Sequence, residues 1–176
     1  PSKRTLLDEL NLPPKVTEFI RQNENPIKIV LILILVLICA NTFWDYYSDK
    51  QKNDSASLLS QAMSQKEDAI RIEQLKKVVD QYSGSGAALW GEVILAQQML
   101  EDGQYQEAVK KYNGIIADVS VDNPIYPLVR HDLARAYELN GEFENSLKQY
   151  TALREIDGFT TIGYLGEARL YEQMGN

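Results

Sequence analysis

The stretch that decides the fold is EDGQYQEAVKKY, residues 101–112, which returns further along the chain as LNGEFENSLKQY, residues 139–150. Aligning the two glycines places four pairs over each other: Gly103 and Gly141, Tyr105 and Phe143, Ala108 and Ser146, Tyr112 and Tyr150. A further step of similar length from Gly141 reaches Gly175. Self-similarity at a regular interval of this size predicts stacked supersecondary units.

The residues around both copies follow the pattern of paired helices. Apolar side chains recur three and four positions apart, and no stretch alternates with a period of two over a useful length, so we expect helices and no sheet. Gly103 and Gly141 would supply the left-handed backbone that ends the first helix of each pair. The pattern predicts helices at 58–63, 69–82, 87–100, 104–119, 128–139, 142–156 and 160–174, with a loop at 122–127.

A separate feature is the apolar stretch NPIKIVLILILVLICANTFWDYY, residues 25–47. A helix over residues 26–47 would be roughly 33 Å long, enough to cross a hydrocarbon core of about 30 Å. Lys28 lies at one end, and four aromatic residues typical of a membrane interface lie at the other: Phe43, Trp44, Tyr46 and Tyr47. The sequence therefore predicts one transmembrane helix, with a buried core helix as the alternative.

A retained anchor is favoured over a cleaved signal. A signal peptide has a short basic start and small residues at its cleavage site, whereas about 25 residues precede this apolar run. Ile38 stands where a small residue is needed, both for cleavage after Ala40 and for a lipoprotein signal ending at Cys39. We therefore expect an uncleaved signal anchor.

The basic residues around this segment predict its orientation. Five of them lie before it or at its start: Lys3, Arg4, Lys15, Arg21 and Lys28. Lys50 and Lys52 follow it within the counting window. The positive-inside rule then places residues 1–24 in the cytoplasm and the chain from about residue 48 outside it. A reversed topology, with a cytoplasmic adaptor domain, is the weaker alternative.

The amino-terminal tail contains two short helical patterns. Thr5 and Asp8 form a capping pattern in TLLDEL, and Pro13 ends that helix. Pro14 can begin a second helix that places Val16, Phe19 and Ile20 on one side. Two interpretations stay open: the tail lies in the lipid headgroup region, or it docks on a partner protein.

Composition and motifs predict no enzyme and no cofactor. The formal charge of −7 argues against nucleic-acid binding, which needs clustered Lys and Arg. Cys39 and His131 are the single cysteine and histidine, so the sequence lacks both a disulfide framework and a zinc-binding pair. Acidic pairs such as Glu101-Asp102 are typical of solvated helix surfaces. The glycines of SGSG, residues 83–86, lack the preceding strand of a phosphate-binding loop.

The repeated residues resemble tetratricopeptide repeats. That family carries Leu-small-x-x-Tyr on a first helix, Gly at the turn, and aromatic-x-x-Ala-x-x-x-aromatic on a second. One copy reads Leu95, Ala96, Met99, Gly103, Tyr105, Ala108, Tyr112, and the next reads Leu133, Ala134, Tyr137, Gly141, Phe143, Ser146, Tyr150. The resemblance implies helical hairpins that stack into a superhelix with a concave groove, with Tyr105, Tyr112, Phe143 and Tyr150 in its core.

The predicted architecture is an all-α fold, in which a single amino-terminal transmembrane helix precedes a solenoid of helical hairpins similar to tetratricopeptide repeats. Its parts are a cytoplasmic tail (1–24), an anchor (25–47) and an outer domain (48–176), which comprises a degenerate repeat (54–82), repeats at 87–119 and 125–158, and a half repeat (160–176). The half repeat either caps the array, with Glu167, Arg169, Glu172 and Gln173 turned to water, or continues beyond Asn176.

The whole layout also resembles the YfgM-like membrane-anchored repeat proteins of bacteria. The resemblance rests on EFIRQNENPIKI (18–29), FWDYYSDKQ (43–51) and QYSGSGAALWGEVILAQQML (81–100). It implies an inner-membrane anchor, an acidic periplasmic repeat domain, and an accessory role beside the protein-export channel, the Sec translocon. Its partners would be translocon subunits, periplasmic chaperones and emerging chains.

Six residues are predicted to face the groove of the superhelix: Gln97, Glu101, His131, Arg135, Glu138 and Arg169. In repeat proteins of this kind such positions often hold a peptide or the tail of a partner, and a merely solvated surface is the alternative. The favoured hypothesis is an inner-membrane scaffold whose periplasmic domain binds other proteins during export or folding. The alternative is a structural subunit fixed to one other membrane complex.

Overall fold

The computed structural model describes residues 13–175 and contains α-helices joined by turns, without strands in that part of the chain. The helices are α1 (Pro14–Gln22), α2 (Glu24–Met63), α3 (Asp68–Gln81), α4 (Gly86–Glu101), α5 (Tyr105–Asp118), α6 (Tyr126–Leu139), α7 (Phe143–Arg154) and α8 (Thr160–Met174). From α3 onward the bounds confirm the predicted helices to within two residues. The helix predicted around Thr5 lies outside the described residues.

The chain divides into two compact units between Lys50 and Gln51. The first unit contains α1, in which Pro14 is the first helical residue, as predicted. It also contains the beginning of α2, a single helix of 40 residues that ends in the second unit. Residues 58–63, which the sequence pattern predicts to be helical, form the last part of α2.

Among residues 13–175, α2 is the helix long and apolar enough to cross a membrane. None of its most apolar 18-residue window is buried. Its large apolar side chains are open along the whole run, from Ile29 at 59% exposure to Ile38 at 57%. The apolar surface of this segment is therefore uncovered in the chain on its own.

The second unit is a series of helices that pack on their neighbours in chain order, from α3 to α8. Contacts between α4 and α6, the first helices of two successive hairpins, accompany these sequential contacts. One apolar core lies among α4, α5 and α6, and a second includes Ala134, Tyr150, Leu153 and Leu170. Hairpins that contact only the next hairpin form a solenoid, which confirms the predicted all-α repeat architecture.

The repeated small and aromatic residues form the centres of these cores. Ala96 and Ala134 are fully buried, and the Ser146 hydroxyl donates a hydrogen bond of 2.8 Å to the Ala134 carbonyl. Tyr112 and Tyr150 are 0% and 1% exposed. The two other predicted core aromatics, Tyr105 and Phe143, are partly buried against the same cores. Small residues on facing helices let the two backbones approach closely.

The turn glycines have the backbone that the repeat pattern requires. Gly103 and Gly141 have φ of 75° and 78°, a left-handed conformation that glycine adopts without a Cβ penalty. In both turns the next amide donates 2.8 Å back into the first helix, from Gln104 to the Met99 carbonyl and from Glu142 to the Tyr137 carbonyl. The two copies therefore share one turn geometry.

The start of α6 differs from the prediction of a loop over residues 122–127. The helix begins at Tyr126, because Asn123 accepts hydrogen bonds from the amides of both Ile125 (3.0 Å) and Tyr126 (2.9 Å). Pro127 then falls in the first helical turn, where no amide donor is needed. This arrangement buries Ile125 to 4% exposure.

The predicted exposure of Glu167 is wrong. Glu167 is 8% exposed, and its carboxylate accepts hydrogen bonds from the Thr151 hydroxyl (2.6 Å) and the Arg154 guanidinium (3.1 Å) of α7. The carboxylate is buried because α8 packs closely on α7. The three other residues predicted to face water, Arg169, Glu172 and Gln173, are exposed.

Candidate functional site

The six predicted groove residues lie on the first helices of successive hairpins. Gln97 and Glu101 belong to α4, three belong to α6, and Arg169 belongs to α8. The Gln97 amide donates 3.4 Å to the Glu101 carboxylate, and both side chains are exposed. These two residues form the α4 part of the candidate surface.

Glu138 and Arg169 form an ion pair with each other. The Arg169 guanidinium donates to both Glu138 oxygens, at 3.0 and 2.7 Å, and the Gln173 amide donates to the same carboxylate at 3.0 Å. Arg169 also donates 2.8 Å to the Tyr150 hydroxyl. A bidentate pair of this kind fixes geometry as well as charge. The structure therefore connects α6, α7 and α8 through these side chains.

Burial and charge act in opposite directions on Glu138. Burial raises the pKa of its carboxyl, but the hydrogen bonds from Arg169 and Gln173 and the charges of Arg169 and Arg135 outweigh it, so the pKa lies below its ordinary value. A carboxyl with a depressed pKa in the folded state stabilises that state above its unfolded pKa, and the contribution is lost as pH falls through the folded value.

We expect Glu138→Gln to remove part of the acid sensitivity of the fold. The wild-type chain should lose thermal stability below about pH 4.5, the ordinary pKa, as Glu138 takes up a proton. The variant should be less stable than wild type at pH 7 and show a flatter decline on acidification. Melting temperatures by circular dichroism from pH 3 to 7 measure this. Glu144→Gln, an exposed carboxylate on α7, is the control; equal pH profiles for Glu138→Gln and wild type would contradict the assignment.

The equivalent position in the preceding repeat has no such ion pair. Tyr112 and Arg135 stand in one repeat where Tyr150 and Arg169 stand in the next. The buried Tyr112 hydroxyl has no hydrogen-bond partner within the described residues. Leu100 occupies the place of Glu138, so no carboxylate there holds Arg135, whose side chain is exposed.

The charges near Tyr112 have both signs. Burial raises the pKa of its hydroxyl, and the Asp132 and Glu101 carboxylates raise it further while Arg135 opposes them. The hydroxyl therefore stays protonated and acts as a buried hydrogen-bond donor close to an exposed guanidinium. Of the two donors, the exposed Arg135 guanidinium is the one that a carbonyl or carboxylate oxygen of a bound chain can reach.

His131 is held within the protein. Its Nδ1 lies 3.0 Å from Asp132 Oδ1, and its ring meets the Tyr150 ring edge to face at a centroid distance of 6.2 Å. Sequence analysis did not single out Asp132, nor did it predict that the Tyr150 hydroxyl accepts a hydrogen bond from Arg169. The spacing offers a signal, since Tyr112 and Arg135 repeat as Tyr150 and Arg169. Among residues 13–175, no three His, Cys, Asp or Glu side chains form a group that could hold a metal ion.

Comparisons with known proteins identify the family. Two solved structures, described as nearly identical TPR-like repeats of a putative kinesin light chain from Podosopora anserina and a variant of them, are similar to the chain at 22% identity and a TM-score of 0.48. The alignment covers 72% of this chain and 66% of each of those. No curated protein matches the chain. The family described as tetratricopeptide repeat-like domain matches residues 17–160. The chain therefore belongs to the tetratricopeptide repeat-like family, and its repeats form a scaffold for protein–protein interactions.

Proposed function

We propose that this protein is anchored in the bacterial inner membrane by α2 and that its repeat domain binds other proteins in the periplasm, next to the Sec translocon, during export or folding. The observation that carries the binding function is the exposed guanidinium of Arg135. In the following repeat the equivalent Arg169 guanidinium is bonded to Glu138 and Tyr150, whereas Leu100 takes the place of that carboxylate beside Arg135.

The membrane location is supported by the uncovered apolar surface of α2 and by the distribution of basic residues. An apolar helix of this length, with none of its most apolar 18-residue window buried, is typical of a membrane-spanning segment. Five basic residues lie before the apolar segment or at its start, and two, Lys50 and Lys52, follow it within the counting window. The positive-inside rule therefore favours the periplasm for the part of the chain that follows the anchor.

The binding function is tested by a photo-crosslinking residue at Arg135 in intact cells. We expect adducts with translocon subunits, periplasmic chaperones or a range of secreted chains. Lys148, exposed on α7 and outside the candidate surface, is the matched control position. The same adducts from both positions, or none from Arg135, would count against binding at this surface.

The anchor and its orientation have a separate test. The protein should stay with membranes during alkaline carbonate extraction, and protease added to spheroplasts should digest the repeat domain. Release by alkali would contradict the anchor. Survival of the repeat domain in spheroplasts, with digestion after the membrane is permeabilised, would place it in the cytoplasm.

A second candidate function is that of a structural subunit of another membrane complex. It is favoured by α1, whose apolar side is open: Val16 is 42% and Phe19 62% exposed. Such a short amphipathic helix could dock on a fixed neighbour. Stoichiometric co-purification with one complex that survives high salt and is lost in Phe19→Asp would support this function over client binding.

A further inference from the structure

The helix that precedes the apolar segment, α1, has one apolar side and one charged side. Val16, Phe19 and Ile20 recur at spacings of three and four positions, which places them on one face of the helix. Glu18 and Arg21 fall on the opposite face. Both Val16 and Phe19 are exposed, so the residues that the structure describes leave the apolar side of α1 open.

A single residue, Asn23, joins α1 to the apolar helix α2 within the first compact unit. Helical hydrogen bonds continue across this junction. The Asn23 amide donates 3.1 Å to the Phe19 carbonyl, and the Ile27 amide donates 3.0 Å to the Asn23 carbonyl. Steps of four positions keep these residues on one side of the helix. The apolar side of α1 therefore continues into the apolar surface of α2.

The junction is also a place where the helix can bend. Asn23 has φ −115° and ψ 29°, which lies outside the α-helical region. Pro26 has no amide hydrogen to donate to the Gln22 carbonyl four positions earlier, and helices commonly bend where proline interrupts the bonding. Along a straight helix Phe19 would lie about 12 Å before Ile27, at about 1.5 Å per residue. A bend at the junction brings Phe19 into the headgroup layer, which is about 5–8 Å thick.

We propose that α1 lies along the membrane surface, in the headgroup layer where α2 enters the bilayer, with Val16, Phe19 and Ile20 directed toward the acyl chains. This placement rests on the proposed anchoring of α2. Lipid is favoured as the occupant because the apolar side of α1 is continuous with the surface of α2 that the bilayer would cover. Lys15 and Arg21 stand near the two ends of α1, and their side chains can reach lipid phosphates, as in helices that lie on membranes.

The depth of α1 is tested by Phe19→Trp in the full chain, reconstituted into phosphatidylcholine vesicles. Trp44→Phe and Trp90→Phe remove the two native indoles, so that the fluorescence comes from position 19 alone. Phosphatidylcholine brominated in the upper part of the acyl chain quenches an indole that lies near it. We expect Phe19→Trp to lose emission in brominated vesicles. Glu18→Trp in the same background, on the charged side of α1, is the matched control and should keep its emission.

The native Trp44 separates failure of this placement from failure of the anchor. In Trp90→Phe, which keeps Trp44 as the single indole, quenching reports that α2 is in the bilayer. If Trp44 is quenched but Phe19→Trp is not, the placement of α1 is overturned in favour of a partner protein, and the anchor stands. Equal quenching of Phe19→Trp and Glu18→Trp would overturn the proposed orientation of α1. If Trp44 is not quenched, the anchor itself is contradicted, and the placement of α1 with it.

Discussion

Replacing Gly166 with alanine is expected to lower the free energy of unfolding by about 2–3 kcal/mol, in the upper part of the range of about 1–3 kcal/mol that overpacking a core costs. A Cβ atom at this position would lie 2.3–2.5 Å from three carbon atoms of the Tyr150 ring. The ring has little room to move, because Tyr150 is 1% exposed and its hydroxyl is bonded to Arg169. Urea unfolding followed by circular dichroism measures the change.

Gly114→Ala is the matched control for this prediction. Gly114 lies within α5, and a Cβ there would meet no atom within 4 Å. Alanine in a helix interior is more favourable than glycine by roughly 0.5–1 kcal/mol, so this variant should be more stable than wild type. The same substitution is thus expected to have opposite signs at the two sites. If Gly166→Ala is as stable as wild type, the close approach of α8 to Tyr150 is contradicted.

Local features of the sequence were sufficient to predict the helices and turns. The apolar period of each helix and its terminal glycine are properties of a few neighbouring residues, and Gly103, Gly141 and Gly175 all have the left-handed backbone that the repeat alignment implies. Burial of Tyr112 and Tyr150 followed from the family pattern in the same way. These features can be predicted because each repeat can be aligned with the next one in the same sequence.

The close packing of α8 on α7 could not be predicted from these local features of the sequence. Gly163 and Gly166 fall in α8 where nothing in the repeat pattern requires glycine, and their purpose is visible once α7 lies beside them. A Cβ at Gly163 would lie 2.7 Å from the Arg154 backbone nitrogen. Glu167 was predicted to face water because carboxylates usually do, but the close packing of α8 turns it into the interface, where Thr151 and Arg154 satisfy it.

The residues of the candidate surface were predictable from the sequence, but the hydrogen bonds and ion pairs between them were not. The repeat alignment places Arg135 and Arg169 in equivalent positions on successive first helices. It does not reveal that Glu138 hydrogen-bonds to Arg169 while Leu100, at the equivalent place beside Arg135, offers no carboxylate. That difference depends on side chains from α6, α7 and α8 meeting in space. The surroundings of Arg135 and Arg169 therefore differ at one place outside the repeat motif, which is Leu100 in one repeat and Glu138 in the next.

Replacing Arg154 with methionine should destabilise the repeat domain by about 2 kcal/mol, somewhat less than the roughly 3–5 kcal/mol that removing one partner of a fully buried ion pair costs. The Glu167 carboxylate would keep its burial, with 11% of its side chain exposed, and would lose its cation. The expected cost is smaller here because 31% of the Arg154 side chain is exposed and Thr151 still donates a hydrogen bond to the carboxylate. Urea unfolding measures the loss.

The double variant Arg154→Met, Glu167→Leu should recover most of that loss. Leucine at 167 restores the residue type that the equivalent position holds in the previous repeat, where Leu133 is 1% exposed. Apolar replacement of a whole buried ion pair is often neutral or stabilising, and residues in contact show coupling energies of about 0.5–3 kcal/mol. A double-mutant cycle by urea unfolding measures the coupling. If the two single losses simply add, the buried pair is not the reason for the Arg154→Met effect, and Arg154 would act through its stacking on Tyr164 instead.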